Sequence, residues 1–307
     1  MMKTIPLGKS GLQVPTIAVG CMRIGEMPAE KLAEQIRWYL EHGLNFFDHA
    51  DIYGGGRCEE NFRDAFRQTG FDREQVIIQS KCGIRQGFYD FSKEYILSSV
   101  DGILQRLGTD YLDVLVLHRP DALMEPEEVA EAFDRLEQSG KVRHFGVSNH
   151  RPAQIELLQK YLHQKLLVNQ MQLSIPCSSM ISAGMEANMM TDGAVDRDGS
   201  VLDYCRLHDI TIQTWSPFQY GFFEGVFVGN REKFPELNQV LDELSEKYGA
   251  TPTCIATAWI LRHPAKMQMV AGTTNLGRMA EIVRGSEITL ERADWYKLYL
   301  SAGHILP

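Results

Sequence analysis

Asp48, Tyr53, Lys81 and His118 are the residues of this 307-residue chain whose types and positions best match a chemical task. Asp48, Lys81 and His118 each stand at the end of a short apolar, β-branched or aromatic run, and Tyr53 lies a few residues beyond Asp48. The runs are Asn45-Phe46-Phe47, Val76-Ile77-Ile78-Gln79 and Leu112-Asp113-Val114-Leu115-Val116-Leu117. Runs of this kind read as buried strands, so the polar residue that follows each lies at a strand's carboxyl end. In a parallel barrel that end is the face where active sites assemble. The set is a carboxylate with a nearby phenol, an amine and an imidazole, and none of them needs a metal. Lys⁺ held by Asp⁻ beside a tyrosine favours loss of the phenolic proton, which predicts a Tyr53 pKa below its ordinary value. The chemistry implied is reduction of a carbonyl, with Tyr53 protonating the oxygen.

Strand-like and helix-like patterns alternate along the chain and supply the frame for these four. A turn between two extended pieces over residues 4–15 predicts an opening β-hairpin. Eight strand candidates follow, at 17–21, 45–48, 76–80, 112–118, 144–148, 167–170, 211–215 and 269–272. Amphipathic helical patterns lie between them, as at 29–41, 58–68, 93–107, 126–138 and 152–162. Eight β–α alternations predict an α/β fold, a closed (β/α)8 TIM barrel with an N-terminal β-hairpin. An open doubly wound sheet is the other reading, and it lacks its glycine fingerprint, since Gly20-Cys21-Met22-Arg23-Ile24-Gly25 is not G-x-G-x-x-G. No linker, repeat or low-complexity tract interrupts the pattern, so residues 1–307 are read as a single domain. Two segments, 174–199 and 216–233, are too long for ordinary connections. Both follow barrel strands and are expected to overhang the active-site rim as lids.

Composition narrows the partners. A net charge of −9 with no basic stripe argues against nucleic acid, whose binding rests on neutralised phosphates. The six cysteines are scattered, without C-x-x-C or zinc spacing, and are read as reduced thiols. Neither a signal-like apolar segment nor a membrane-spanning stretch is present, so a soluble cytoplasmic protein is expected. No H-x-H pair accompanies His49, His144 or His150, which argues against a metal-dependent hydrolase.

Taken in order, several segments make the chain resemble the aldo-keto reductase superfamily. They are Phe46-Phe47-Asp48-His49-Ala50-Asp51-Ile52-Tyr53-Gly54, Gln79-Ser80-Lys81, Leu115-Val116-Leu117-His118 and Gly140-Lys141-Val142-Arg143-His144-Phe145-Gly146-Val147-Ser148-Asn149, then Asn169-Gln170, Trp215-Ser216-Pro217-Phe218 and Gly272-Thr273-Thr274-Asn275. The resemblance implies a (β/α)8 barrel that binds NADP(H) in extended form, with Asp48, Tyr53, Lys81 and His118 as catalytic tetrad. Tyr53 would be the general acid, tuned by Lys81 and Asp48, and His118 would orient the carbonyl. It further implies that Ser148, Asn149 and Gln170 hold the nicotinamide carboxamide and that Trp215 stacks on the ring. Ser216 and Pro217 would lie along the pyrophosphate, and Cys21 and Met22 would join the cofactor contacts. Gly272, Thr273 and Thr274 lead into a helix start that suits an anion, where Arg278 would take the 2′-phosphate.

The departures from the family pattern are informative. Gly272 stands where many members carry a lysine, which leaves NADP preference on Arg278 and NAD(H) open as the cofactor. Met22 replaces an aromatic of the substrate pocket wall. The chain ends soon after a helix-like 290–300 segment, so the extension that closes the pocket in many members is nearly absent. Specificity is therefore expected from the two long loops. The expected partner is a small-molecule carbonyl compound, and the chain is expected to be a monomer or weak homo-oligomer. The competing function is a non-catalytic nicotinamide-nucleotide-sensing regulatory subunit, which would have no need of Tyr53.

Overall fold

The computed structural model describes residues 2–221 and 224–306. The chain opens with a hairpin, β1 (Thr4–Pro6) and β2 (Gln13–Pro15), paired antiparallel with Ile5 opposite Val14. There follow β3 (Ile17–Gly20), α1 (Ala29–Glu41), β4 (Phe46–Asp48), α2 (Arg57–Phe66) and β5 (Ile77–Cys82). After β5 a small antiparallel hairpin, β6 (Ile84–Arg85) and β7 (Phe88–Tyr89), precedes α3 (Lys93–Leu107). Next come β8 (Leu112–Leu117), α4 (Pro126–Gln138), β9 (Val142–Ser148), α5 (Pro152–Tyr161) and β10 (Leu166–Gln172). The remainder is α6 (Ser179–Met185), α7 (Val201–Leu207), β11 (Thr211–Trp215), α8 (Pro235–Tyr248), α9 (Pro252–Leu261), β12 (Gln268–Ala271), α10 (Leu276–Gly285) and α11 (Arg292–Ser301).

Strands β3, β4, β5, β8, β9, β10, β11 and β12 are all parallel and close into a barrel through the β12–β3 pairing. The eight expected strands are all present, with ends shifted by a residue or two where the ladder starts or stops.

Alternation along each strand divides the core. Outward residues such as Val19, Phe47, Ile78, Leu115, Phe145, Ile212 and Met269 pack with helix residues such as Leu32, Ile36, Phe62, Ile103 and Phe133. In α1 the buried Leu32, Ala33, Ile36 and Tyr39 form the stripe that a 3.6-residue period lays on one face. A second cluster holds Ala18, Phe46, Val114, Val116, Val168 and Val270 together with Ile5, Leu7 and Val14. The hairpin therefore plugs the end of the barrel opposite the rim. Helix starts and stops follow local chemistry. Ser92 accepts the Tyr95 N–H at the head of α3, and Gly108, at φ 63°, ends that helix in the left-handed region.

The two long segments are more ordered than plain loops. Segment 174–199 contains α6 and a 3₁₀ turn at Asp192–Ala194. In segment 216–233, Gln219 bridges Val226 and Phe227 is fully buried, while Phe222 and Phe223 lie outside the described residues. Ser174 Oγ donates to the Gln219 carbonyl at 2.5 Å, joining one segment to the other. The short tail after α11 reaches them too, His304 Nε2 lying 2.9 Å from both Ser178 Oγ and the Ile175 carbonyl.

Candidate active site

Asp48 is the last residue of β4, Lys81 lies near the end of β5, and His118 directly follows β8. These three strands are neighbours in the barrel, so their carboxyl ends bring the side chains together. Lys81 is fully buried, and its Nζ donates to Asp48 Oδ1 at 2.7 Å, Asp48 Oδ2 at 2.8 Å and the His49 carbonyl at 2.7 Å. The same Nζ lies 3.3 Å from the Tyr53 hydroxyl. The His118 ring stands edge-on to the Tyr53 ring, with centroids 6.1 Å apart. The structure thus gathers all four residues at one rim.

Electrostatics assign a state to Lys81, His118 and Tyr53. Burial pulls the Lys81 pKa down, and Asp48 with Tyr53 more than offsets it, so the ammonium persists above its ordinary range. Burial, with Lys81⁺ and Arg119⁺ nearby, drives the His118 pKa well down, which leaves a neutral imidazole. Its buried Nδ1 has no partner among the described residues. Tyr53 departs from the sequence expectation. Burial raises its pKa, Lys81 opposes, and the net direction is upward. The phenol in this pocket is too poorly solvated as an anion for one ammonium to reverse the shift. The phenol therefore keeps its proton at neutral pH.

Behind Lys81 the outward-facing Ser80 donates to Glu59 Oε1 at 2.7 Å, and Arg106 Nε donates to Glu59 Oε2 at 2.7 Å. Glu59 is 0% exposed, so this contact clamps α2 and α3 against β5. Tyr53 opens a 3₁₀ turn, Tyr53–Gly56, whose glycines sit at φ 59°, 65° and 95°. A Cβ on Gly56 would lie 2.7 Å from Arg106 Cδ, so this glycine answers both to conformation and to space.

The residues that the resemblance assigns to a cofactor line the same rim further round. Ser148 Oγ donates to the Gln170 carbonyl at 2.9 Å, and Asn149 Nδ2 donates to Ser148 Oγ at 2.8 Å. Trp215 Nε1 donates to Asn149 Oδ1 at 3.2 Å, and the Arg119 guanidinium lies 5.8 Å from the Trp215 ring. Gln170 Nε2 donates to Asp48 Oδ1 at 3.2 Å, which ties this group to the tetrad. Ser216 turns the chain at φ 50°, and Pro217 is buried beyond it. Cys21 pairs its backbone N–H with the Asp48 carbonyl at 2.9 Å and buries its thiol, while Met22 is 39% exposed at the surface.

Gly272, Thr273 and Thr274 lead into α10, which Asn275 caps by accepting the Arg278 N–H at 3.0 Å. Gln35 holds the Thr274 carbonyl at 2.8 Å. Arg278 is exposed, and among the described residues its side chain makes no ion pair. All six cysteines are free thiols; burial raises the pKa of Cys21, Cys58 and Cys82. Among the described residues no group of three His, Cys, Asp or Glu side chains is gathered to hold a metal ion.

Sequence reasoning missed the amides beneath the rim. Gln79 Nε2 donates to Asp48 Oδ1 at 2.6 Å, and Gln213 contacts both Gln79 and Gln170. The signal was a glutamine at an inward position of each strand, Gln79 in Ile77-Ile78-Gln79-Ser80-Lys81 and Gln213 in Thr211-Ile212-Gln213-Thr214-Trp215.

A closed parallel barrel with an acid–base cluster on its carboxyl-end rim defines an enzyme-like (β/α)8 protein. Residues 16–299 match the aldo/keto reductase family, and the chain belongs to that family of oxidoreductases. It is 34% identical to the uncharacterized oxidoreductase YcsN of Bacillus subtilis, over 96% of this chain and 97% of the relative. It is 33% identical to a 6-dehydroglucose reductase of Agrobacterium fabrum, over 95% of each chain. Among solved structures, the thermostable aldo-keto reductase Tm1743, determined with the inhibitor epalrestat, shares the fold at a TM-score of 0.78 and 24% identity. That match covers 98% of this chain and 100% of the other.

Proposed function

We propose that this protein reduces an aldehyde or ketone to the alcohol with NADPH, Tyr53 donating the proton. The observation that carries this reading is the buried Lys81 ammonium, bound by both oxygens of Asp48 and 3.3 Å from the Tyr53 hydroxyl. Bound NADPH supplies the hydride. The residues present suit such a molecule: Ser148, Asn149 and Gln170 offer amide and hydroxyl groups beside Trp215, and Arg278 is exposed at the start of α10.

The protein's own groups then divide the proton work. Tyr53 is protonated at neutral pH, the form that reduction consumes. Lys81⁺ offsets the negative charge that grows on the phenolic oxygen as its proton leaves, and Asp48 keeps the ammonium in place. His118, being neutral, has one N–H to donate to the carbonyl oxygen, polarising it toward attack.

The test is NADPH oxidation over a panel of aldehydes and ketones that includes 6-dehydroglucose. Tyr53→Phe removes the acid alone, so turnover should fall by about 10²–10⁴ while NADPH affinity stays near wild type. Retention of more than about a tenth of wild-type kcat would remove Tyr53 from the role. NADPH binding without oxidation by any panel member would favour a nucleotide-sensing subunit instead.

A further inference from the structure

Four glutamines meet inside the barrel: Gln79 of β5, Gln170 of β10, Gln213 of β11 and Gln268 of β12. None is more than 4% exposed, in a layer where barrels ordinarily place branched apolar residues. Gln170 Nε2 donates to Asp48 Oδ1 at 3.2 Å and to Gln213 Oε1 at 3.0 Å. Gln79 Nε2 donates to Asp48 Oδ1 at 2.6 Å and to Gln213 Oε1 at 2.8 Å. Gln213 Nε2 in turn donates to Gln79 Oε1 at 3.1 Å and to Gln268 Oε1 at 2.8 Å. Gln268 Nε2 ends the chain on the Pro15 carbonyl at 2.7 Å, in the hairpin that plugs the barrel.

The direction of these bonds is not arbitrary. An ionised carboxylate and a peptide carbonyl can only accept, so acceptors pin the chain at both ends. Rotating the Gln170 amide by half a turn would set its Oε1 against Asp48 Oδ1 and Gln213 Oε1, two acceptors in a buried site. Both Gln170 N–H bonds are therefore committed to Asp48 and Gln213. Among the described residues no hydrogen bond uses the Gln170 Oε1.

We infer that Gln213 is a positioning residue for the nicotinamide carboxamide. Together with Asp48 it turns the Gln170 N–H bonds inward, so Gln170 Oε1 is the atom offered to the carboxamide N–H₂. The same amides fasten the cofactor end of the rim to the carboxylate that holds Lys81. This inference rests on the nicotinamide-dependent function proposed above.

The experiment is a pair of calorimetric titrations, with NADP⁺ and with adenosine 2′,5′-bisphosphate, which keeps the phosphate and adenine but has no nicotinamide. In Gln213→Met, which conserves volume and removes the amide, NADP⁺ affinity should fall about three- to tenfold, the effect of one hydrogen bond. Affinity for the bisphosphate should stay at the wild-type value. Gln268→Met breaks the same chain one step further from Gln170, and it should lower stability without moving the ratio of the two affinities. If Gln213→Met does not fold, Gln213→Asn, which withdraws the amide by one methylene, is titrated with the same expectation. An unchanged ratio at position 213, or an equal change at 268, overturns the inference and leaves the proposed function standing. A wild type that binds the bisphosphate and gains nothing from the nicotinamide half overturns it as well. Failure of the wild type to bind NADP⁺ at all removes both.

Discussion

Tyr53 meets opposing influences of unequal strength. Burial favours the neutral phenol, Lys81⁺ favours the phenolate, and burial prevails. That balance keeps the phenol protonated at neutral pH, the form that the proposed reduction consumes. Arg278 raises a different question, since charge without burial decides little until a ligand arrives. Its guanidinium is free to take a phosphate at the head of α10, while Gly272 provides no second cation there. A charge-assisted contact is worth about 1.5–3 kcal/mol. NADPH should therefore bind about ten- to a hundredfold more tightly than NADH. Arg278→Ala should weaken NADPH and leave NADH almost unchanged, as read by fluorescence titration of each cofactor. An equal loss for both would mean that Arg278 supports the helix alone.

Among the elements, β5 shows how alternation turns one strand into two tools. Gln79 and Lys81 point into the barrel and serve the rim, while Ser80 faces outward and holds Glu59. Glu59 lies in α2 directly after the turn that carries Tyr53, and Arg106 of α3 neutralises it. Arg106→Met leaves that buried carboxylate without its cation, a loss of about 3 kcal/mol. The double variant Glu59→Gln with Arg106→Met should recover much of it, because the uncompensated charge is gone. Urea unfolding of the three proteins measures both steps. Equal stability of the two variants would show that lost packing, not charge, dominates at this contact.

Over the whole molecule, buried histidines set the response to acid. Burial and Lys81⁺ lower the His49 pKa to about 3, and burial lowers His150 and His263 to about 4. An unfolded histidine titrates near ~6.5, so below that pH the unfolded chain binds more protons than the native one. The histidine contribution is complete above about pH 6.5 and is lost as pH falls toward 4 for His150 and His263 and toward 3 for His49. Asp51 works the other way. Burial and Glu59 raise its pKa to about 7, so its contribution is lost as pH rises through that value. Burial lowers His118 and His144 as well, so five histidines oppose the three carboxyls that burial raises, Asp51, Glu59 and Asp198, and the thermal midpoint should fall from about pH 6.5 downward. A midpoint that stays flat to pH 5 would contradict this. His49→Phe, whose ring would replace one already edge-on to Phe62, should make the fall shallower. Among the described residues no helix is long and apolar enough to cross a membrane.

The alternation of strand and helix patterns, the three polar residues at strand ends with Tyr53 just beyond the first, and the family segments were all legible in the sequence. They depend on local periodicity and short motifs, which a linear reading can see. Asp48, Lys81 and His118 come together as the strand order implies, because parallel neighbours expose their carboxyl ends on one face. The tertiary structure decided matters that depend on distance through space. The sign of the Tyr53 shift follows from how much water the closed rim excludes. The pairing of Ser80 with Glu59 and Arg106, and of Gln79 with Gln213, joins residues far apart in the chain. The contact of His304 with Ile175 and Ser178 does the same for the loop after β10. None of these partners could be named from one strand alone, since an inward glutamine gains its meaning only when the barrel closes around it.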